Sequence, residues 1–231
     1  MKIVAFAGSS SKESINKQLV SYASSLVENA EVEILDLNDF EMIIYSIDKE
    51  KQDGVPAKAK EFQAKLKSAD LLMISFAEHN GSYSSAFKNI MDWKSRLEGK
   101  IWENKKMILL STSPGARGGA TVLNTAVTTF PFQGAEVLGH FSLPSFHDNF
   151  KDGKIVKPGK LGLTCPHELA HILAYKTDGT NDHKQFYSNV LARELPEIPA
   201  IIDRIYLAKR FNVDQERKIY SRKLVKVVKK K

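Results

Sequence analysis

The chain reads as an α/β protein built on a parallel sheet with helices on both faces. Three features predict this: short apolar runs, helical apolar spacing between them, and turn residues at the junctions. Residues 3–7 are apolar throughout, 71–77 all but Ser75, and 106–112 carry the apolar run 107–110, without alternation, as strands covered on both faces do.

Residues 3–7 form the first strand. Gly8 ends it, and Ser9, Ser10, Ser11, Ser14 and Asn16 follow before Leu19, Val20, Ala23, Leu26 and Val27 recur at helical spacing. A buried strand, a turn of small hydroxyl residues and a helix N-terminus together make an anion site, because unpaired N–H groups and the positive end of the helix dipole face the loop. Neutral serine and asparagine donors suit a phosphate that stays bound rather than one that is transferred. The lysine of a P-loop and the G-x-G-x-x-G of a dinucleotide fold are both missing. The same serines also read simply as N-cap and turn residues.

Residues 32–37 form a second strand. Residues 38–55 are irregular, and Ile43, Ile44, Tyr45 and Ile47 are expected to fold down onto an apolar surface. Pro56 opens a helix carrying Ala59, Phe62, Leu66 and Ala69. The strand at 71–77 runs into Glu78-His79-Asn80-Gly81-Ser82-Tyr83 and a helix through Phe87, Ile90, Met91 and Trp93. The strand at 106–112 runs into Ser113-Pro114-Gly115-Ala116-Arg117-Gly118-Gly119 and a helix through Val122, Leu123, Ala126 and Val127. Residues 135–141 make the fifth strand. Open sheets of this kind bind ligands at the carboxyl ends of their strands, so loops 8–16, 78–83 and 113–119 are expected at one edge.

Apolar residues make up 42% of the 231, ample for a core. No apolar run approaches the ~20 residues of a membrane span, so no membrane partner is expected. No secretory signal pattern precedes the first strand, and Cys165 is the lone cysteine, which fits a reducing cytoplasm. Charge is divided unevenly. Residues 1–150 carry 16 Lys and Arg against 18 Asp and Glu, whereas 151–231 carry 18 against 9. That asymmetry suggests a composite chain.

The three loops together resemble the NADPH-dependent FMN reductase family, a flavodoxin-like group, over residues 1–156. Ala7-Gly8-Ser9-Ser10-Ser11-Lys12-Glu13-Ser14-Ile15-Asn16 is similar to the family's phosphate loop. Glu78-His79-Asn80-Gly81-Ser82-Tyr83, with Lys88-Asn89 and Asp92-Trp93 after it, is similar to its E-x-N-G-S loop and helix. Ser113-Pro114-Gly115 with Gly118-Gly119 is similar to its second flavin loop. The resemblance implies a five-stranded flavodoxin-like sheet that binds FMN. Ser9, Ser11, Ser14, Ile15 and Asn16 would lie at the phosphate, and Glu78, His79, Asn80, Gly81 and Ser82 at the ring. Ser113, Pro114, Gly115, Gly118 and Gly119 would line the other flavin edge. Many members carry arginine where Ser11 stands, and Lys12 is the neighbouring cation. Each glycine taken singly also reads as a tight turn.

The implied activity is hydride transfer from NAD(P)H through FMN to a quinone, azo compound, metal ion or free flavin. It requires no named catalytic acid or base. Relatives are usually homodimers or homotetramers, and residues 38–55 with the helix around Trp93 are the expected contact.

Residues 157–231 depart from the family, which usually adds one amphipathic helix and stops. Here Lys157-Pro158-Gly159-Lys160 reads as a linker into a helical, basic extension. Thr164-Cys165-Pro166 suits a helix start. On that helix His167 and His171 stand at i and i+4 with Glu168 beside them, the H-E-x-x-H pattern of zinc hydrolases, and His183 is a candidate third ligand. Three readings stay open: a structural or vestigial zinc site, a metallopeptidase-like site with Glu168 as base, or an amphipathic helix with solvent-facing histidines. Lys223 to Lys231 is basic but carries no aromatic platform, so it reads as a solvated helix end and no nucleic-acid partner is expected.

Overall fold

The computed structural model describes residues 1–27, 29–97 and 99–156. The elements run β1 (Lys2–Gly8), α1 (Ile15–Ser25), β2 (Glu31–Leu35), a 3-10 turn (Leu37–Phe40), α2 (Ile47–Asp53) and α3 (Ala57–Lys67). They continue through β3 (Leu71–Phe76), β4 (Glu78–His79), β5 (Ser82–Tyr83), α4 (Ser85–Lys94), β6 (Lys106–Thr112), α5 (Ala120–Thr129) and β7 (Glu136–Leu143). A short helix α6 (Phe146–Asn149) and the strands β8 (Phe150–Lys151) and β9 (Lys154–Ile155) complete the described chain. The expected parallel sheet is present: five strands in the order β2-β1-β3-β6-β7, every pairing parallel. This is the flavodoxin-like arrangement.

Burial on both faces explains why the central strands are apolar without alternation. Val4, Phe6, Leu72, Ile74, Met107 and Leu109 point to one face, where they pack against Phe62 and Leu66 of α3, Phe87 and Ile90 of α4, and Val122 and Leu123 of α5. The opposite face of β1, β3 and β6 lies against α1, whose Leu19, Val20 and Ala23 are fully buried. Phe6 meets Phe62 edge-on at 5.4 Å between ring centres, and Phe76 meets Phe87 edge-on at 5.3 Å. Aromatic edges thus join the sheet to α3 and α4.

The structure corrects the reading of residues 38–55. They contain the 3-10 turn, started by Asp36, whose carboxylate accepts the Asn38 N–H at 2.9 Å, and the helix α2. The isoleucines do not fold down: Ile43 is 51% exposed, Ile44 77% and Ile47 47%. Tyr45 does fold down, its ring edge-on to Trp93 at 5.0 Å, and Met42 packs against the core; the rest of the docking is through the backbone. The Asn89 side chain accepts the Tyr45 N–H at 2.9 Å and donates to the carbonyls of Met42 and Ile43, while Trp93 Nε1 donates to Ile43 O at 2.7 Å. With polar side chains of α4 holding the strap by its main chain, its isoleucines are free to face outward.

Past β7 the sequence reading foresaw nothing before residue 156. Asp152 and Gly153 both have positive φ, 49° and 77°, and make the turn of the β8–β9 hairpin. Phe150 stacks on Phe146 at 4.8 Å and meets Tyr22 of α1 edge-on at 5.8 Å. The extension at 157–231, with His167, Glu168, His171 and His183, lies outside the described residues. Among the described residues no helix is long and apolar enough to cross a membrane.

One buried cation carries a pH prediction. Lys94, on α4, is 3% exposed; its ammonium donates to Ile101 O and stands 5.9 Å from the Trp102 ring centre. Burial lowers its pKa to about 8, against the opposing pull of Glu103. Between that value and the ordinary 10.5 the unfolded chain holds the proton that the folded one releases, so stability rises with pH across this window. Chemical denaturation at pH ~7.5 and ~9.5 is expected to show a gain on the order of 1–2 kcal/mol that Lys94→Met abolishes. An identical gain in the variant would remove Lys94 as its source.

Candidate active site

The carboxyl ends of β1, β3 and β6 stand side by side, and three loops leave from them. From the middle of the sheet the order runs outward in opposite directions, to β2 on one side and to β6 and β7 on the other. The connections after β1 and β3 therefore diverge and leave a crevice between them.

The first loop follows β1. Ser14 caps α1, its hydroxyl oxygen accepting the Lys17 N–H at 3.2 Å. The N–H groups of Lys17 and Gln18 donate to Ser14 O. Those of Ile15 and Asn16 precede these first helical bonds and face out of the positive end of the helix. Ser9 is buried and its oxygen accepts the Ser11 N–H at 3.2 Å, so the hydroxyls of Ser9 and Ser14 both keep a proton to donate. Ser11 and Lys12 are exposed. The Lys17 ammonium pairs with Asp36 at 2.5 Å and, with the bonds from Asn38, holds that carboxyl below its ordinary range.

Asn16 has a different place from the one expected. Its side chain is 2% exposed and is used up inside the protein. Oδ1 accepts the Ser75 hydroxyl at 2.7 Å and the Thr112 N–H at 2.9 Å, and Nδ2 donates to Thr112 O at 3.1 Å. The amide therefore ties the start of α1 to the ends of β3 and β6. What Asn16 can offer an anion is its backbone N–H.

The second loop is a hairpin, β4 paired with β5 through a turn at Asn80 and Gly81 with φ of 52° and 76°. Both central residues at positive φ is the type I′ turn for which Asn-Gly is the favoured pair. His79, Asn80, Gly81 and Ser82 are exposed along it. Ser84 then caps α4, accepting the Phe87 N–H at 3.2 Å and donating its own proton to Gly8 O at 2.8 Å. That bond joins the second loop to the first. Ser84 was missed in the sequence, although its position ahead of an apolar helix is a recognisable cap signal.

The third loop is anchored through its backbone: Ser145 N–H donates to Gly115 O at 2.9 Å and Phe146 N–H to Ser113 O at 3.0 Å. Gly118 and Gly119 have φ of 58° and 76° and are buried against the sheet's own Ser111, Ser142 and Leu143. Their lack of a side chain is demanded from within the protein. Gly115 is different. It is exposed, its φ is ordinary, and a Cβ placed there would have as its nearest neighbour Ser113 Oγ at 3.9 Å. Pro114 and Gly115 thus present a smooth wall to the crevice.

The donor set fits a phosphate ester carrying a flat ring: two spare hydroxyl protons, two N–H groups at a helix N-terminus, and two backbone walls, each tied to its neighbours. Among the described residues no group of three or more His, Cys, Asp or Glu is placed to hold a metal ion.

A sequence profile of the NADPH-dependent FMN reductase family matches residues 1–148. An uncharacterized protein of Mycoplasma pneumoniae is 34% identical over 145 residues, which are 61% of this chain and 85% of that protein. A 2-hydroxy-1,4-benzoquinone reductase from a Burkholderia species is 33% identical over 122 residues, 52% of this chain. The chain spans 64% of that reductase's length. In fold, the chain is similar to a flavoenzyme NAD(P)H:(acceptor) oxidoreductase from Paracoccus denitrificans, with a TM-score of 0.58 and 21% identity. The match covers 74% of this chain and 94% of that one.

Proposed function

The chain belongs to the NADPH-dependent FMN reductase family, and we propose that it binds FMN in the crevice between loops 9–16, 78–83 and 113–119 and reduces a small-molecule acceptor with NAD(P)H. A quinone, azo compound, metal ion or free flavin would serve as acceptor. The observation that carries this reading is the convergence of three separately anchored loops at the carboxyl ends of β1, β3 and β6, beside the point where the strand order reverses.

Within it, the hydroxyls of Ser9 and Ser14 and the N–H groups of Ile15 and Asn16 hold the phosphate, with Ser11 and Lys12 at the rim. The hairpin of Glu78, His79, Asn80, Gly81 and Ser82 borders the ring on one side. Ser113, Pro114 and Gly115 border it on the other, and Gly118 and Gly119 fix the course of that wall. FMN, when bound, supplies the hydride-accepting and electron-donating chemistry. The protein's part is to orient the two reactants and keep the loops from moving.

We infer self-association through the strap that carries Ile43, Ile44 and Ile47, because three isoleucines about half exposed or more on one segment form an apolar patch. We infer that residues 157–231 form a separate unit and that the chain works in the cytoplasm. The H-E-x-x-H spacing at 167–171 makes metal analysis worth running on the same sample.

The test is an absorption spectrum of the purified chain. A flavin spectrum that bleaches when NADPH is added without oxygen is the expected result. A protein that binds no flavin even after FMN is supplied would overturn the reading.

A further inference from the structure

The second and third loops are joined by one side chain whose use the family reading does not foresee. Helix α5 begins at Gly119, which has no side chain to cap it. Its first turn leaves N–H groups without helical partners, as every helix does. Glu78, at the start of the hairpin and 44 residues earlier, accepts the Val122 N–H on Oε2 at 3.1 Å. A carboxylate at the positive end of a helix dipole is the favourable pairing, and a charged acceptor bonds an N–H more strongly than a neutral one.

The placement of this bond matters more than its strength. Glu78 is the first residue of β4 and faces Tyr83 across the hairpin, so its backbone is fixed by strand pairing. Val122 is fully buried, so its backbone is fixed by the core. Between these two fixed points stand the exposed turn at Asn80 and Gly81 on one side and the exposed Pro114 and Gly115 on the other. The hairpin belongs to neither the five-stranded sheet nor a helix. At the same open end Tyr83 packs against Phe76, Phe87 and Phe130, and Ser84 next to it bonds Gly8 O, so β5 is held to the core. The Glu78 bond adds to this a side-chain tie from β4 to the helix that follows the third loop.

We propose that Glu78 is a positioning residue: its carboxylate latches the 78–83 hairpin to the N-terminus of α5, so that the two walls of the crevice move as one body and are set before a flavin arrives. The proposal rests on the flavin reading for its consequence and on the Glu78–Val122 bond for its mechanism, and the two can be separated. Because Oε2 is spent on α5, the carboxylate is held toward that helix and the Glu78 backbone is what borders the ligand. Preorganising the walls saves the ordering cost that binding would otherwise carry.

The experiment uses the full chain with Glu78→Ala and Glu78→Gln, reading two quantities. Hydrogen exchange of the Val122 amide in the flavin-free protein reports the latch itself. The dissociation constant for added FMN reports its consequence. Glu78→Ala is expected to speed exchange at Val122 at least tenfold and weaken FMN binding about tenfold. Glu78→Gln keeps an acceptor oxygen and is expected to restore most of both. Unchanged exchange in Glu78→Ala overturns the latch. Faster exchange with unchanged FMN affinity overturns the positioning role. If the wild-type chain binds no FMN, the flavin reading and the positioning role fall together, while the exchange result still shows whether the latch exists.

Discussion

Replacing Asn16 with leucine is expected to lower the melting temperature of the flavin-free protein by roughly 10 °C and, by loosening the loop that the amide anchors, to weaken FMN binding. The Asn16 amide satisfies Thr112 N–H, Thr112 O and the Ser75 hydroxyl at once, all in the buried ends of β3 and β6. Leucine fills the space but leaves these groups without partners. An orphaned buried polar group costs about 1–3 kcal/mol, so a loss of about 3–5 kcal/mol is expected. For a chain of this size each kcal/mol is worth about 2–4 °C. Asn16→Asp separates the contributions. It keeps an oxygen for Ser75 and the Thr112 N–H but turns a second oxygen toward Thr112 O, so an intermediate loss is expected. Calorimetry on the three proteins checks this, and a leucine variant melting within about 2 °C of wild type would show that the clamp is not structural.

Asn16 also shows where sequence reasoning stopped. Its motif is local, and local reading assigned the side chain to the phosphate. Its partners lie 59 and 96 residues away, and nothing in the segment announces them. The central sheet was legible because its signal is local: a strand buried on both faces is apolar nearly throughout, as residues 3–7 are at every position and 71–76 are at all but Ser75. The isoleucines at 43 and 44 were misread by the same habit. Apolar residues were taken to be buried, whereas Asn89 and Trp93 hold the strap at Ile43 by its backbone and only Tyr45 turns its ring inward, onto Trp93. Asn80-Gly81 is a converse case. It carries the strongest short hairpin signal in the chain, yet was read only as part of a ligand loop. Its turn geometry is local; only its place at the crevice depends on the fold.

The glycines of the third loop divide into two kinds, and one pair of substitutions separates them. At Gly118 a Cβ would lie 2.5 Å from Ser142 Oγ and 2.8 Å from both the carbon and the oxygen of the Leu143 carbonyl, with φ at 58°. The Leu143 contacts are backbone of β7 and cannot rotate away. Left-handed backbone at a residue bearing a Cβ costs about 1–2 kcal/mol and forced overpacking about 1–3 more. Gly118→Ala is therefore expected to destabilise the flavin-free protein by about 2–5 kcal/mol. At Gly115 neither penalty applies, since the nearest atom is 3.9 Å away and φ is unstrained. Gly115→Ala is expected to leave the melting temperature of the flavin-free protein unchanged and to weaken FMN binding several-fold, because the added methyl stands on the wall of the crevice. Thermal melts without flavin and FMN titrations of both variants check the pair. A stable Gly118→Ala would mean that the β7 backbone gives way more readily than its hydrogen bonds suggest. A Gly115→Ala that binds FMN as tightly as wild type would move the flavin off this wall and leave the hairpin as its main support.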